Sequence, residues 1–188
     1  MPVLDIGAGQ GRNALFLAQN GIKVVAIDPS EVAVNTINEA AKMNNLNIVA
    51  IKADFDHFVP DSLPYSAVCL FGLFQLLSWE EIDHLIDKIN VWLTLNGLLF
   101  IAAFNVDDFS FDIYKKTWSS VGRNSFKKGG NNYRTFLAKD EILTLFKNYE
   151  VIYHWEGLGE KHRHGDREPH RHGLVHTVFQ KSGKHKIW

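Results

Sequence analysis

Three glycines and an acidic residue near the N-terminus are spaced so that they could hold a nucleotide-type ligand. The segment reads Asp5-Ile6-Gly7-Ala8-Gly9-Gln10-Gly11-Arg12-Asn13, with a glycine at every second position from 7 to 11. Glycine permits a sharp turn, lets a ligand approach the backbone, and allows the next helix to start close to the sheet. A dinucleotide-binding fingerprint would need its third glycine at position 12, where an arginine stands.

Two further carboxylates follow predicted strands. Asp28 ends the apolar segment 23–27, and a carboxylate at a strand tip can accept hydrogen bonds from both hydroxyls of a ribose. Dinucleotide-binding enzymes carry an acid at the same place, so Asp28 predicts a ribose-containing ligand without deciding between the classes. Asp54, with Phe55 beside it, ends the next predicted strand, where it could instead cap the following turn.

Histidine and arginine are unusually dense in the C-terminal part of the chain. The histidines there are His162, His164, His170, His172 and His176. They include two His-x-His pairs, and residues i and i+2 of an extended strand share a face, so a zinc or nickel site is geometrically feasible. The spacing matches no structural zinc pattern, however, and Arg163, Arg167 and Arg171 are interleaved with it. We therefore predict no metal site, and expect either a solvated polar hairpin or a loop in which His162 or Arg163 faces a substrate.

The glycine spacing, with an acid two residues upstream, resembles motif I of the class I methyltransferases that depend on S-adenosylmethionine (AdoMet). The resemblance extends over essentially the whole chain and is closest to the tellurite-resistance TehB-like branch. That branch follows its glycine loop with Gly-Arg-Asn, as at Gly11-Arg12-Asn13. It also has a Gly-Glu-x-His-Arg stretch before its last strand, as at Gly159-Glu160-Lys161-His162-Arg163.

The resemblance implies a class I fold with a final antiparallel strand, AdoMet as methyl donor, and a metalloid oxyanion or an unrelated small molecule as acceptor. Asp28 would bind the ribose and Asp54 the adenine amino group. The implied cofactor-binding residues are Asp5, Gly7, Ala8, Gly9, Gly11, Asn13, Asp28, Pro29, Asp54, Phe55, Phe71 and Gln75. Asp5 could equally cap the amides of the loop, and Phe71 could be a core residue.

The residues predicted to act on the methyl acceptor are His162, Arg163 and Arg171. Methyl transfer from a sulfonium is an in-line displacement, so the protein mainly has to align donor and nucleophile and exclude water. If the acceptor arrives protonated, His162 is the candidate general base. If the acceptor is an anion, Arg163 and Arg171 would bind it through charge-assisted hydrogen bonds.

These residues lie at the ends of segments that are typical of buried parallel strands. Five such segments precede residue 105, at 3–6, 23–27, 47–53, 66–72 and 98–104. Helical patterns connect them at 12–19, from the capping residue Ser30 to about Asn44, and at 79–93. The alternation predicts an α/β fold with a doubly wound, mainly parallel sheet.

The chain beyond residue 104 follows a different pattern. Residues 105–134 are rich in aromatic residues, Gly, Asn and Lys without a clean period, so we predict a lid or substrate-binding insertion over 105–135, or a partial helix. Its aromatic side chains would form either a water-excluding lid or a small satellite core. A helix over 139–146 and strands over 150–155 and 174–180 follow. The two strands suit an antiparallel hairpin that brings the sheet to seven strands.

The bulk composition suits one domain over residues 1–188, with 46% hydrophobic and 22% charged residues. A net charge of −1 and a pI near 6.7 argue against nucleic acid as a partner. The single cysteine, Cys69, lies in an apolar run and fits a reducing compartment. Since no apolar stretch reaches about 18 residues and no leader-like start is seen, we expect a cytoplasmic protein without a membrane partner. A homodimer is left open.

One departure from the family pattern concerns the N-terminus. Class I methyltransferases usually have a helical segment before the first strand that helps to cover AdoMet, whereas the first strand here begins almost at Met1. The cover would come from an upstream segment, from residues 105–134, or from a partner chain, or would be absent. Two alternatives to methyl transfer therefore stay open, which are an AdoMet-binding protein without catalysis and an NAD-dependent oxidoreductase.

Overall fold

The computed structural model describes residues 1–61, 63–163 and 168–183. The first half alternates strands and helices in the order β1 (Val3–Ile6), α1 (Arg12–Gln19), β2 (Val24–Asp28), α2 (Glu31–Met43) and β3 (Ile48–Lys52). β1 pairs with β2 and β2 with β3, both in parallel. Ser30 caps α2 by accepting a hydrogen bond from the amide of Ala33, which satisfies one of the free N–H groups of the first turn.

The next unit completes the parallel part of the sheet. It consists of β4 (Tyr65–Phe71), a short 3-10 turn (Phe74–Leu76), α3 (Trp79–Trp92) and β5 (Leu93–Phe104). A reciprocal capping box between Ser78 and Glu81 starts α3. β5 begins five residues earlier than predicted, because the Asn96-Gly97 turn lies inside the strand as an irregularity, with Asn96 at a φ of 62°.

Residues 105–135 fold into a small unit rather than a structureless connection. It contains α4 (Phe111–Thr117) and a separate antiparallel sheet of β6 (Ser119–Gly122), β7 (Ser125–Lys127) and β8 (Tyr133–Thr135). The partial helix agrees with the prediction. The sheet was not foreseen, because strands of three or four residues are too short to show an alternating pattern.

The last elements are α5 (Glu141–Leu145), β9 (Tyr149–Leu158) and β10 (Gly173–Lys181). The strand order of the main sheet is β3-β2-β1-β4-β5-β10-β9, and β10 is antiparallel to both of its neighbours. Leu174 pairs with Phe104 and with Gly157, so β10 starts where β5 and β9 end. The prediction of a seven-stranded, mainly parallel sheet with a C-terminal antiparallel hairpin is confirmed.

Helices cover both faces of the sheet, as a doubly wound fold requires. On one face α3 and α5 pack on the main core, which includes Leu70, Leu85 and Ile142. On the other face α1 and α2 cover β2 and β3. Cys69 is buried, as its apolar setting predicted. No helix within the described ranges has the length and apolar character needed to cross a membrane.

Candidate functional site

The glycine loop leaves β1 in a conformation that holds its backbone against β2. The amides of Gly7 and Ala8 both donate to the carbonyl of Ile27, at 2.9 and 3.1 Å. Gly11 has a φ of 82° and caps α1, and a Cβ at this residue would lie 2.5 Å from Cγ1 of Ile37. The loop therefore needs glycine at position 11 for both conformation and the close approach of α2.

Gly9 differs from Gly11 in what surrounds it. Its φ is 54°, and a Cβ built on it would meet no atom within 4 Å. The space beside the loop is therefore open at this residue, as expected where a ligand approaches the backbone.

The Asp28 carboxylate ties the end of β2 to this loop. One oxygen accepts from the amide of Gly9 at 2.8 Å and the other from the amide of Ser30 at 2.9 Å. A carboxylate offers about four lone-pair directions, so each oxygen can still accept from a ligand hydroxyl. The predicted ribose-binding carboxylate thus lies against the glycine loop, with its orientation fixed by two backbone donors.

Asp5 lies beneath the loop, with only 2% of its surface exposed. Burial raises the pKa of Asp5 to about 7, the charge of Asp28 adds to this effect, and the backbone amide of Ala14 partly opposes it. Its Oδ2 is buried and has no hydrogen-bond partner among the described residues. The Ala14 amide belongs to the first turn of α1, so this interaction connects Asp5 to the helix that follows the loop.

A cavity of about 240 Å³ opens at the carboxyl ends of β1, β2 and β3. Its lining includes four of the predicted cofactor-binding residues, which are Gly7, Pro29, Asp54 and Phe55. The remaining lining residues are mostly apolar: Ile6, Ile27, Ala53, Asp56, Leu73, Leu76, Leu77 and Glu81. A mainly apolar cleft with a few polar groups at strand ends is the usual setting for the base of a nucleotide in open α/β sheets.

Asp54 at the mouth of this cavity is held by its own turn. Its Oδ1 accepts from the amide of His57 at 2.8 Å, and the His57 ring lies 2.7 Å from the same oxygen. Partial burial opposes ionisation, but the amide and ring of His57 outweigh it and hold the pKa of Asp54 below its usual range. The capping role considered for Asp54 is therefore present, and the cavity still reaches this carboxylate.

The other eight predicted cofactor-binding residues are not part of the lining of the 240 Å³ cavity, and three of them, Asn13, Phe71 and Gln75, also lie apart from the glycine loop and Asp28. Asn13 and Phe71 line a second cavity of about 350 Å³, together with Arg12, Phe100 and His176, on the sheet face that carries α1. Gln75 lies in the 3-10 turn after β4, and its Oε1 is buried without a hydrogen-bond partner among the described residues. Six of the predicted cofactor-binding residues therefore line one or the other of two cavities.

The acceptor-side candidates lie on the connection between β9 and β10. His162 forms an isolated antiparallel bridge with His170, which extends the hairpin beyond the main sheet. Arg163 and Arg171 are exposed next to these residues, whereas His162 is partly buried. Because β9 runs parallel to β5, this connection emerges on the same rim as the glycine loop, as predicted. His164 and Arg167 lie outside the described residues.

Several residues of the site were not found from the sequence. Leu73, Leu76 and Leu77, which form one wall of the cavity, were not predicted as site residues. Asp108 was not predicted either. It is 3% exposed, and its Oδ2 lies 2.7 Å from the Nδ1 atom of His172. The only available signal for the leucines was their position directly after a predicted strand end.

Comparison with known proteins agrees with this geometry. A family profile described as "Methyltransferase domain" matches residues 3–97, which is 95 of the 188 residues. The chain therefore belongs to this methyltransferase-domain family, and its fold and glycine loop are those of the class I, AdoMet-dependent type. The matched segment contains the glycine loop, Asp28 and Asp54. The oxidoreductase alternative is set aside, because β10 is antiparallel where a dinucleotide-binding fold has a parallel strand.

Among named proteins the chain is similar to TehB of Haemophilus influenzae, described as a probable S-adenosyl-L-methionine-dependent methyltransferase. The two are 27% identical over 163 residues, which is 86% of this chain and 50% of TehB. The crystal structure of that TehB superposes with a TM-score of 0.73 at 22% identity, covering 96% of this chain and 57% of the other. The chain thus spans about half the length of this relative. The predicted TehB-like resemblance is confirmed.

The chain is also similar to a plant enzyme and to an archaeal protein of known structure. (S)-coclaurine N-methyltransferase of Thalictrum flavum subsp. glaucum is 34% identical over 103 residues, which is 53% of this chain and 27% of that enzyme. A SAM-dependent methyltransferase from Methanosarcina mazei superposes with a TM-score of 0.76 at 17% identity, covering 96% of this chain and 92% of the other. Of these names only that of the Thalictrum enzyme states an acceptor, so the names do not identify a shared acceptor, whereas the fold is shared with the solved structures.

Proposed function

We propose that this chain transfers the methyl group of AdoMet to a small anionic acceptor. The observation that carries the donor half of the proposal is the 240 Å³ cavity at the carboxyl ends of β1 to β3. It runs from Gly7 past Pro29 to Asp54, with the Asp28 carboxylate held at 2.8 Å from the amide of Gly9. Adenine would occupy the apolar cleft beside Phe55, and the ribose hydroxyls would donate to Asp28.

The methionine end of AdoMet would extend from the glycine loop toward the end of β4. Phe71 and Gln75 flank this direction, and the buried Oε1 of Gln75 offers an acceptor to a polar group there. In the reaction the bond between the methyl carbon and the sulfonium breaks and its electron pair stays on sulfur. A lone pair of the acceptor forms the new bond in line with the leaving sulfur. The protein has to align the two molecules and exclude water.

The acceptor half of the proposal rests on the hairpin connection at the same rim. This connection carries two exposed arginines, Arg163 and Arg171, and the partly buried His162. Guanidinium groups bind oxyanions through paired, charge-assisted hydrogen bonds. A metalloid oxyanion fits this chemistry, because its metalloid atom carries the lone pair that attacks the methyl group. An anion arrives deprotonated, so the proposal requires no general base.

The small unit of residues 105–135 would close the acceptor space. Its sheet is fixed to the turn after β4, since the Thr135 hydroxyl donates to the carbonyl of Leu77 at 2.6 Å. Phe126 of this unit is buried, as is the adjacent Phe136, and both rings contact Phe111, so part of the aromatic content serves as a satellite core. Phe109, at 44% exposure, is available to shield the acceptor from water.

The proposal is tested with labelled AdoMet and selenite or tellurite as the acceptor probe. We expect S-adenosylhomocysteine and a methylated metalloid to form in equal amounts. His162→Ala and Arg163→Ala should each lower transfer at least tenfold, because a lost positioning contact costs about 1.4 kcal/mol per tenfold change in rate. AdoMet affinity in both variants should stay within about twofold of the parent. Lys42→Ala, at an exposed position in the last turn of α2, is the control.

Two results would contradict the proposal in different ways. AdoMet binding without any product from either oxyanion would favour a binding protein or a different acceptor. Normal turnover in both alanine variants would show that the hairpin connection is only a solvated loop.

A further inference from the structure

Three imidazole rings meet on one side of the connection between β9 and β10. The ring centroids of His162, His170 and His172 are separated by 4.8, 5.0 and 5.2 Å, which makes a nearly equilateral triangle. One ring nitrogen from each of the three histidines lies within 4.8 Å of the other two. All three side chains are partly buried.

The backbone explains why these three residues converge. The amide of His162 donates to the carbonyl of His170 at 3.0 Å, and the amide of His170 donates back at 2.9 Å. This is a hydrogen-bonded antiparallel pair, so the two side chains lie opposite each other on one face of the hairpin. His172 follows His170 by two residues and shares that face. Arg163 and Arg171 occupy the alternate positions and are exposed to solvent.

Each ring is oriented through the same nitrogen. The Nδ1 atoms of His162 and His170 lie 3.1 Å from the carbonyl oxygens of Glu160 and Glu168, respectively. The Nδ1 atom of His172 lies 2.7 Å from Oδ2 of Asp108. Since carbonyl and carboxylate oxygens only accept, these contacts favour a hydrogen on Nδ1 and a lone pair on Nε2. Metal-bound histidines are commonly fixed in this way, by a carbonyl or carboxylate on the second ring nitrogen.

The residues that contact the three histidines also hold the rings in fixed orientations. Asp108 is buried, and its other oxygen accepts from the amide of Ser110 at 2.9 Å. The His172 ring stacks on Phe104 with an angle of 8° and a centroid separation of 4.7 Å. Phe109 packs against His170, with 4.1 Å between the two ring centroids. The Asp108 carboxylate therefore places a buried acidic group directly against one ring of the cluster.

We infer that His162, His170 and His172 form a binding site for a divalent transition-metal ion, with Zn²⁺ as the best-fitting ion. Three neutral imidazoles with Asp108 behind one of them match the ligand preference of Zn²⁺. Tetrahedral Zn–N bonds of about 2.1 Å place ligand nitrogens about 3.4 Å apart, so modest rotation of partly exposed rings closes the cluster. Three protein ligands leave a fourth position for water or an anionic oxygen. This inference rests on the fold and not on the proposed methyl transfer.

The inference revises the expectation from sequence that no metal binds here. That expectation rested on the absence of a zinc spacing pattern within the chain and on the interleaved arginines. The cluster instead combines residues from both arms of the hairpin, and alternation directs the arginines away from it. A second group in the described part of the chain, Asp140, His154 and Glu156, has ligand atoms equally close together. Both oxygens of Glu156 already accept hydrogen bonds, from Asn105 and from the Asp140 amide.

The test is direct metal binding by protein that carries no histidine tag. Titration with Zn²⁺ by calorimetry, and with Co²⁺ by its visible absorption, should give one equivalent and a tetrahedral or five-coordinate spectrum. His170→Ala should weaken Zn²⁺ binding at least tenfold, and so should His162→Ala. Asp108→Asn replaces the carboxylate beside His172 with an amide of nearly the same shape. This variant should lose less Zn²⁺ affinity than either histidine variant. His84→Ala, on the surface of α3, should bind Zn²⁺ like the parent.

Each alternative outcome overturns the inference. Absence of stoichiometric Zn²⁺ or Co²⁺ binding by folded protein would do so. Binding that survives in His162→Ala and His170→Ala but is lost in His154→Ala would assign the metal to the other group. AdoMet titrations on the same variants separate this test from that of the proposed function, because AdoMet affinity depends on Asp28 and the glycine loop.

Discussion

Asp28 has a structural role and, in the proposed function, would also bind the ribose of AdoMet. Its two oxygens hold the amides of Gly9 and Ser30, so the carboxylate fixes the glycine loop to the start of α2 before any ligand arrives. The lone pairs that remain are aimed by these two bonds. An acceptor oriented in advance loses little entropy when a ribose binds.

Replacing this carboxylate should therefore weaken AdoMet binding strongly. Asp28→Ala removes charge-assisted hydrogen bonds that are each worth about 1.5–3 kcal/mol, so affinity should fall at least tenfold. Asp28→Asn keeps one acceptor oxygen and should lie between Asp28→Ala and the parent. Isothermal titration with AdoMet measures the affinity of both variants. Asp83→Ala, at an exposed position of α3, is the control. An unchanged dissociation constant in Asp28→Ala, with the fold intact, would remove Asp28 from the site.

At the scale of elements, the small unit of residues 105–135 is attached to the main fold through a few specific contacts. The Thr135 hydroxyl lies 2.8 Å from that of Ser125 and donates to Leu77. The indole of Trp79 donates to the carbonyl of Arg123 at 2.7 Å, and the Arg123 guanidinium lies 3.9 Å from the Trp79 ring centroid. These contacts connect β8 and the β6–β7 turn to the elements that follow β4.

Thr135→Val tests the buried attachment. It removes both hydroxyl contacts and leaves the Leu77 carbonyl and the Ser125 hydroxyl short of a partner in a buried place, so the free energy of unfolding should fall by about 1–3 kcal/mol. Thr117→Val is the matched control, since the exposed Thr117 hydroxyl also donates to a carbonyl, that of Ile113. Its cost should stay within about 0.5 kcal/mol. Urea unfolding of both variants gives the comparison, and equal costs would mean that Thr135 does not anchor the unit.

Features that depend on how elements pack or pair could not be predicted from the sequence. The glycine loop and the acids Asp28 and Asp54 were predictable, because their chemistry is local and their positions follow directly from strand ends. The cavity wall at Leu73 was not, since a leucine signals burial without signalling what it faces. The histidine cluster needed the register of the hairpin, because only the pairing of His162 with His170 shows which side chains share a face.

At the scale of the whole molecule, stability and pH are coupled through Asp5. Its pKa is raised to about 7 in the folded chain by burial first and by the charge of Asp28 second. Between its ordinary value and about 7, the folded state therefore binds more protons at this group than the unfolded state. Linkage then requires that the contribution of Asp5 to stability is present at low pH and is lost as pH rises through that interval.

Asp5→Asn isolates this contribution. Between pH 5 and pH 8 the parent should lose about 2–3 kcal/mol more unfolding free energy than the variant does. Comparing the change with pH, rather than the absolute values, cancels any constant cost of the amide. Asp83→Asn, at an exposed carboxylate, should follow the parent. Parallel pH profiles for the parent and Asp5→Asn would show that Asp5 is ionised throughout.

The position of β10 has a consequence for how the molecule is made. β10 leaves the ribosome after β5 and β9, yet it lies between them in the sheet. Until it is synthesised, β5 has an open edge and β9 has no neighbour with which to pair, and open edges invite pairing with other chains. When β10 docks it closes both gaps at once, and His170 and His172, which directly precede it, lie at the same rim as the glycine loop that follows β1. The residues proposed to bind the donor and those proposed to bind the acceptor thus lie far apart in the chain, and a chain that stopped before β10 would carry only the proposed donor residues.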